Sequence, residues 1–169
     1  MKATTIVLVF VVVLVGSIMS VGASNKPTLL TAGGTEQLLS VLDPGTNYPP
    51  TSFPAKIRGV KQVYKETLIG PAANVLAPTV NVTLSCDLDE NGYGPCWGTF
   101  EWKMANGKGT WKGVWEGPFN FLSGGYGSYT AVGHADGDND GKKCEATVVY
   151  PGMGAPASTF VTIMNRDDR

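Results

Sequence analysis

The chain has 169 residues, with 13 basic and 14 acidic side chains, one histidine and three cysteines. This near-neutral charge argues against a nucleic-acid partner or an anionic membrane surface, because both are held by a strongly basic face. A single histidine excludes a multi-histidine metal site, and no Gly-x-Ser-x-Gly motif of a hydrolase occurs. The 22 glycines and 11 prolines favour strands joined by tight turns over helices.

Residues 1–23 are typical of a secretory signal peptide. Lys2 precedes an apolar run from Ile6 to Val15, and small residues follow up to Ala23. The alternative is an uncleaved membrane anchor, but the strongly apolar core is nearer ten residues than the roughly 20 of a spanning helix. We therefore expect a secreted protein, extracellular or periplasmic, with no membrane attachment after cleavage. About 146 residues would remain, the size of one domain.

The rest of the chain divides into three parts. Residues 24–56 are rich in turn formers and predict an irregular arm, residues 57–165 predict a β domain, and residues 166–169 predict a polar tail. Seven strands are expected within the β domain because β-branched and aromatic residues alternate with polar ones. They span residues 61–69, 79–85, 96–104, 109–117, 125–134, 143–150 and 158–164.

The strand over residues 79–85 also carries a glycosylation sequon. Its apolar residues occupy one face, and Asn81 falls on the opposite, polar face. In a eukaryotic secreted protein Asn81 can carry a sugar. In a bacterial one the sequon is a coincidence of strand composition.

Three cysteines in an exported chain predict one disulfide and one leftover thiol. Three pairings exist. We favour Cys86 with Cys96, because they bracket an acidic loop of nine residues that joins two successive strands.

Glycine and large aromatic residues alternate on one face of the strand over residues 109–117. Trp111 and Trp115 lie on that face with Gly113 between them. The strand over residues 125–134 likewise alternates glycine with larger residues on one face. Glycine weakens a flat strand, but it suits a sharp bend or the close approach of a neighbour, both of which a small barrel provides. The predicted fold is therefore all-β, an antiparallel up-and-down meander closing into a barrel of seven or eight strands.

Three segments resemble secreted barrels of the allene oxide cyclase-like type, the superfamily that also holds the dirigent proteins. They are the run of glycine and tryptophan over residues 109–117, residues 132–137 with the hairpin that they begin, and the segment from Cys96 to Phe100. The resemblance covers about half of the mature chain and rests on spacing. It implies a barrel of about eight strands with a lumen, in which plant members bind oxidised fatty acids or phenolic radicals. No active-site motif of either group is matched, so no catalytic residue is carried over.

Four aromatic side chains are expected to point inward and are the candidate ligand-binding residues. They are Phe100, Trp102, Trp111 and Trp115. They either fill the core or line a pocket for a small apolar ligand.

Two acidic turns fit an Asp-x-Asp-x-[Asn/Asp]-Gly spacing, which can bring several oxygens onto a calcium ion. Neither has the glutamate that completes an EF-hand loop, and exposed hairpin turns favour the same residue types, so solvated turns are the alternative. The candidate calcium ligands are Asp87, Asp89 and Asn91 in the first turn and Asp136, Asp138 and Asp140 in the second.

Four further titratable residues lie on predicted strands. We expect Glu101, Glu116 and Glu145 to be solvated, because each falls opposite the predicted interior face. The lone His134 is expected to be structural or exposed rather than a general base.

Two functions follow from these features. The first is a non-enzymatic secreted module that binds a small apolar ligand or acts structurally, without a nucleic-acid or membrane partner. The alternative is an isomerase or cyclase of lipid-derived or phenolic substrates that acts by confinement in the lumen. No cofactor beyond calcium is expected, and an exposed strand edge would favour a homo-oligomer.

Overall fold

The computed structural model describes residues 29–48, 52–122, 124–152 and 155–165. The predicted signal peptide and polar tail lie outside these ranges. Within the described ranges, no helix has the length and apolar character needed to cross a membrane.

The fold is an antiparallel barrel of eight strands with one extra strand, which confirms the predicted fold class. The first strand of the barrel wall begins at Leu30, whereas the alternation of residue types predicts the first strand only from residue 61. The strands are β1 (Leu30–Asp43), β2 (Thr46–Tyr48), β3 (Ala55–Ile69), β4 (Leu76–Leu88), β5 (Tyr93–Met104), β6 (Thr110–Asn120), β7 (Tyr126–Ala135), β8 (Lys142–Pro151) and β9 (Ala157–Asn165). Short 3₁₀ turns occupy Pro71–Asn74 and Gly137–Asn139.

Strand β1 closes the barrel by pairing with β9 on one side and β3 on the other, while β2 pairs with β3 beyond the end of β1. The prediction of an irregular arm over residues 24–56 is therefore wrong for its described part. The pattern of β1 is inverted, because Glu36 points inward whereas Leu39 and Leu42 are exposed. Two irregularities of register, near Leu38 and Val41, further interrupt its alternation.

The glycine and aromatic positions interlock on the interior face, as predicted. Gly113 lies opposite Phe100 of β5 and Gly133 of β7, so the Phe100 ring occupies the space that two side chains would need. Trp111 and Trp115 on the same face of β6 are buried, and the intervening Lys112 is exposed. Gly113 and Gly133 do not form a turn. They allow the neighbouring strands and the Phe100 ring to lie close together.

One end of the barrel is filled by side chains, and we call it the closed end. Trp102 and Trp111 lie directly opposite each other there, beside the buried Met104. The Trp102 Nε1 donates a hydrogen bond of 2.7 Å to the carbonyl of Ala77, next to the 3₁₀ turn that contains the fully buried Ala72. Filling of the core is therefore the role of these two tryptophans.

Cys86 and Cys96 form a disulfide, as predicted, and Cys144 is a buried free thiol. The two bonded residues are direct neighbours across β4 and β5. The disulfide fastens the base of the β4–β5 turn, which lies at the end of the barrel away from Trp102 and Trp111.

Substitution of Gly113 by alanine should destabilise the protein by about 3 kcal/mol or more. A Cβ at this position would lie 2.0 Å from the Val132 carbonyl oxygen and 2.5 Å from the Gly133 Cα, and neither backbone can move freely. The matched control is Gly33→Ala in β1, whose Cβ would meet nothing closer than 3.9 Å. Chemical denaturation measures both. Similar unfolding free energies for the two variants would contradict the interlocked packing.

Loss of the disulfide should lower stability by about 2.7 kcal/mol, because a cross-link over a short loop removes about that much entropy from the unfolded chain. Denaturation of the oxidised protein and of the Cys86→Ser, Cys96→Ser variant measures the difference. Peptide mapping provides the control. A bridge that includes Cys144 would overturn the assignment.

Candidate functional site

Two buried carboxyl groups face each other inside the barrel. Glu36 of β1 is 1% exposed and Glu66 of β3 is 5% exposed. They are direct partners across the β1–β3 ladder, so their side chains leave the same face of the sheet as neighbours. Burial of two carboxyl groups is costly unless hydrogen bonds or protonation compensate for it.

Tyrosines from the opposite wall supply hydrogen bonds to Glu36. The Tyr129 hydroxyl donates to Oε2 at 2.7 Å, and the Tyr150 hydroxyl donates to Oε1. A third tyrosine, Tyr64 of β3, donates to the side-chain oxygen of Gln62 at 3.0 Å. Glu36 therefore accepts a bond on each oxygen, as an ionised carboxylate does.

The charge of Glu36 affects the groups around it. Burial, followed by the charge of Glu36, raises the pKa of Tyr64 to about 12 and raises the pKa of Tyr129 and of Tyr150 well above the usual value. Burial, the same charge and a hydrogen bond to Glu36 raise the pKa of Glu66 to about 10. A pKa raised this far keeps the Glu66 carboxyl protonated at neutral pH.

A central void of about 20 Å³ lies beside the two carboxyl groups, which is room for one water molecule. Glu66 Oε2 and Thr159 Oγ1 are buried there without a hydrogen-bond partner among the described residues. The other walls are apolar. They include Val80, Val82, Phe100, Trp102, Trp115, Ala131, Cys144, Ala146 and Val148.

A larger cavity of about 240 Å³, the mouth cavity, opens toward the end of the barrel where the β4–β5, β6–β7 and β8–β9 turns lie. It shares Val82, Trp115 and Tyr129 with the central void. Its walls are mostly aromatic, and none of its described lining residues is charged. The remaining lining residues are Leu38, Gln62, Tyr64, Leu84, Phe119, Phe121, Gly125 and Tyr150.

The aromatic rings of the mouth cavity pack against one another. The Trp115 and Tyr129 ring centroids are 5.1 Å apart, and those of Phe119 and Tyr150 are 5.5 Å apart. Tyr129 and Tyr150 are 6.3 Å apart, with both hydroxyls fixed on Glu36. This mutual packing holds the walls in place before any ligand enters.

The four predicted ligand-binding aromatics are separated by the structure. Only Trp115 borders the mouth cavity, and Phe100 and Trp102 border the central void. Trp111 is fully buried at the closed end, and its Nε1 has no hydrogen-bond partner among the described residues.

The two acidic turns do not bring their carboxylates together. Asp87 forms an ion pair of 2.5 Å with Arg58, and Asp89 accepts hydrogen bonds from the amides of Asn91 and Tyr93. In the second turn, Asp136 accepts from the amide of Thr110, Asp138 from the side chain of Asn106 and Asp140 from the amide of Gly141. Over the described ranges, no group of three or more His, Cys, Asp or Glu residues is placed to hold a metal ion. Calcium binding stays a prediction.

The other predicted positions lie outside the interior. Glu101, Glu116 and His134 are exposed, and Glu145 is half-buried with an ion pair to Lys143. Asn81 is exposed on the outer face of β4, where glycosylation stays a prediction. Sequence reasoning missed both Glu36 and Glu66. The inward position of Tyr129 followed from the alternation in β7, but its partner lies in the segment predicted to be irregular.

A further depression of about 620 Å³ lies on the outer wall across β5, β6 and β7. Its carboxylate, Glu116, is exposed, as is Trp97, whose ring is stacked against Arg58 at 5.1 Å. Solvent screens charge in such an open surface, so the buried carboxyl pair and the mouth cavity form the stronger candidate site.

Comparison with known proteins found no matching family model, no similar curated protein and no similar solved structure. The resemblance to allene oxide cyclase-like barrels stays a prediction, and the function has to be argued from the geometry of the barrel interior.

Protonation of Glu66 should make stability depend on pH. Between the ordinary pKa of 4.5 and about 10, the folded protein keeps a proton on Glu66 that the unfolded chain releases, so the contribution of this group to stability is fully present below pH 4.5 and falls as the pH rises. We expect a loss of about 1 kcal/mol per pH unit between about pH 5 and 9. Glu36, Thr159 and the tyrosines that contact Glu36 are the polar groups facing this site.

The Glu66→Gln variant should lose this component of the slope and become more stable than the wild type at pH 8. The control is Glu101→Gln, which removes an exposed carboxylate and should retain the wild-type slope. Urea denaturation across the pH range measures all three proteins. Parallel curves for wild type and Glu66→Gln would mean that Glu66 is ionised in the folded state.

Proposed function

We propose that this chain is a secreted, non-enzymatic binding module that takes a small, mostly apolar ligand into the mouth cavity. The observation that carries the proposal is an aromatic-lined cavity of about 240 Å³ with two hydrogen-bonded tyrosine hydroxyls at its base. Ligand sites are typically concave and apolar with a few placed polar groups. Secretion is supported by the predicted signal peptide and by the Cys86–Cys96 disulfide.

The volume limits the ligand. An engineered apolar cavity of about 150 Å³ accepts one benzene ring, and drug-sized ligands occupy about 300–1,000 Å³. The mouth cavity therefore suits one ring with a branched substituent, or a short chain. Because its rings already pack against one another, little ordering accompanies binding.

An isomerase or cyclase is the second candidate, favoured by the protonated Glu66 beside the charged Glu36. Such a pair can serve as acid and base. However, the void that both carboxyl groups line has room for one water molecule, and the depression of about 320 Å³ between β3 and β4 is lined by Glu66 without Glu36. The tyrosines bonded to Glu36 lie between that carboxyl group and the mouth cavity. A ligand in that cavity would meet tyrosine hydroxyls, which are poor acids when their pKa is raised. Binding is therefore the better-supported function.

Calorimetric titration with 4-tert-butylphenol tests the proposal, with an expected Kd of about 1 mM or lower. Leu38 lines the cavity and Leu39 does not, although both are exposed. Leu38→Trp should weaken binding at least tenfold, or about 1.4 kcal/mol, by obstructing the mouth. Leu39→Trp, the matched control, should bind as the wild type does. No binding heat, or equal affinities for the two variants, would overturn the proposal.

A further inference from the structure

Glu36 brings a negative charge into the interior that no basic side chain balances. It is 1% exposed, and it accepts hydrogen bonds from two tyrosine hydroxyls. Among the described residues that line the central void and the mouth cavity there is no lysine, arginine or histidine. Buried charges in proteins are usually paired with an opposite charge, because hydrogen bonds alone compensate only part of the lost hydration.

The mouth cavity includes the two tyrosines that contact Glu36, and aromatic rings make up most of its lining. Trp115, Phe119 and Phe121 line it together with Tyr64, Tyr129 and Tyr150. Aromatic faces carry negative potential and attract cations, most strongly where water is excluded. The charge of Glu36 and the quadrupoles of the rings therefore both favour a positively charged ligand.

From this complementarity, and resting on the proposed function, we propose that the mouth cavity binds a small organic cation, a methylated ammonium group carried on an apolar body. A primary ammonium needs three acceptors, whereas the polar side chains that line the mouth cavity are those of three tyrosines and Gln62. A methylated ammonium has no such need and fits among rings. An anion such as a fatty-acid carboxylate would face the charge of Glu36 without a basic partner.

Three 4-substituted phenols that differ in charge test whether the mouth cavity prefers a cation, a neutral ligand or an anion. They are 4-hydroxyphenyltrimethylammonium, its neutral isostere 4-tert-butylphenol, and the anion 4-hydroxyphenylacetate. Calorimetry should show the cation binding at least tenfold more tightly than the neutral isostere, and the anion binding more weakly than both. If the isostere binds as tightly as the cation, the cation inference fails and the proposed function stands. If none of the three binds, both fail.

The effects of salt and of two substitutions show whether Glu36 or a surface carboxylate produces the preference for the cation. A buried charge is poorly screened, so the tenfold preference should persist in about 0.5 M NaCl, whereas attraction by surface carboxylates would disappear. Glu36→Gln should reduce the preference to about twofold or less while the neutral isostere still binds. Glu116→Gln, which removes an exposed carboxylate, should leave the preference unchanged. If Glu36→Gln does not fold, the wild-type comparison in high salt still decides, because loss of the preference there overturns the inference.

Discussion

The closing pairs of β1 are the constraint on which the interior depends. β1 is the only described strand that joins β9 to β3, and without it the remaining sheet would have two open edges. The register that closes the barrel also sets Glu36 opposite Glu66. The strand pairs that close the barrel therefore also bury the two carboxyl groups. The raised pKa of Glu66 and the tyrosine hydroxyls bonded to Glu36 compensate for that burial.

The interior changes character along the barrel axis because of how side-chain volume is distributed. Toward the closed end, rings such as Phe100 extend over glycines of the neighbouring strands, and Trp111 completes the filling. Toward the other end, Phe119 likewise extends over Gly127, but the rings there leave the mouth cavity between them, with the tyrosine hydroxyls bonded to Glu36 at its base. The filled half provides rigidity, and the open half provides the site.

The predictable part of the structure followed simple alternation. The faces of β6 and β7 were correct because tryptophan, alanine and glycine occupy every second position inward and charged or hydroxyl residues point outward. The Cys86–Cys96 pairing was correct because the two residues flank one short turn. The site itself could not be predicted from pattern. Its central carboxylate lies in β1, where Ala32 and Glu36 are buried whereas Leu39 and Leu42 are exposed, so hydropathy does not indicate the inward face of this strand.

The position of the mouth cavity separates what maintains the fold from what would select a ligand. Of its lining residues, Phe121 and Gly125 lie in the β6–β7 turn and the others lie on strands, while the strand pairs that close the barrel run along the wall. Exchanges at Phe121 and Gly125 alter the cavity lining without breaking a strand pair that closes the barrel. The molecule is thus organised like a scaffold for loop grafting: the β6–β7 turn can be diversified, while the neighbouring β4–β5 turn is fastened by the disulfide.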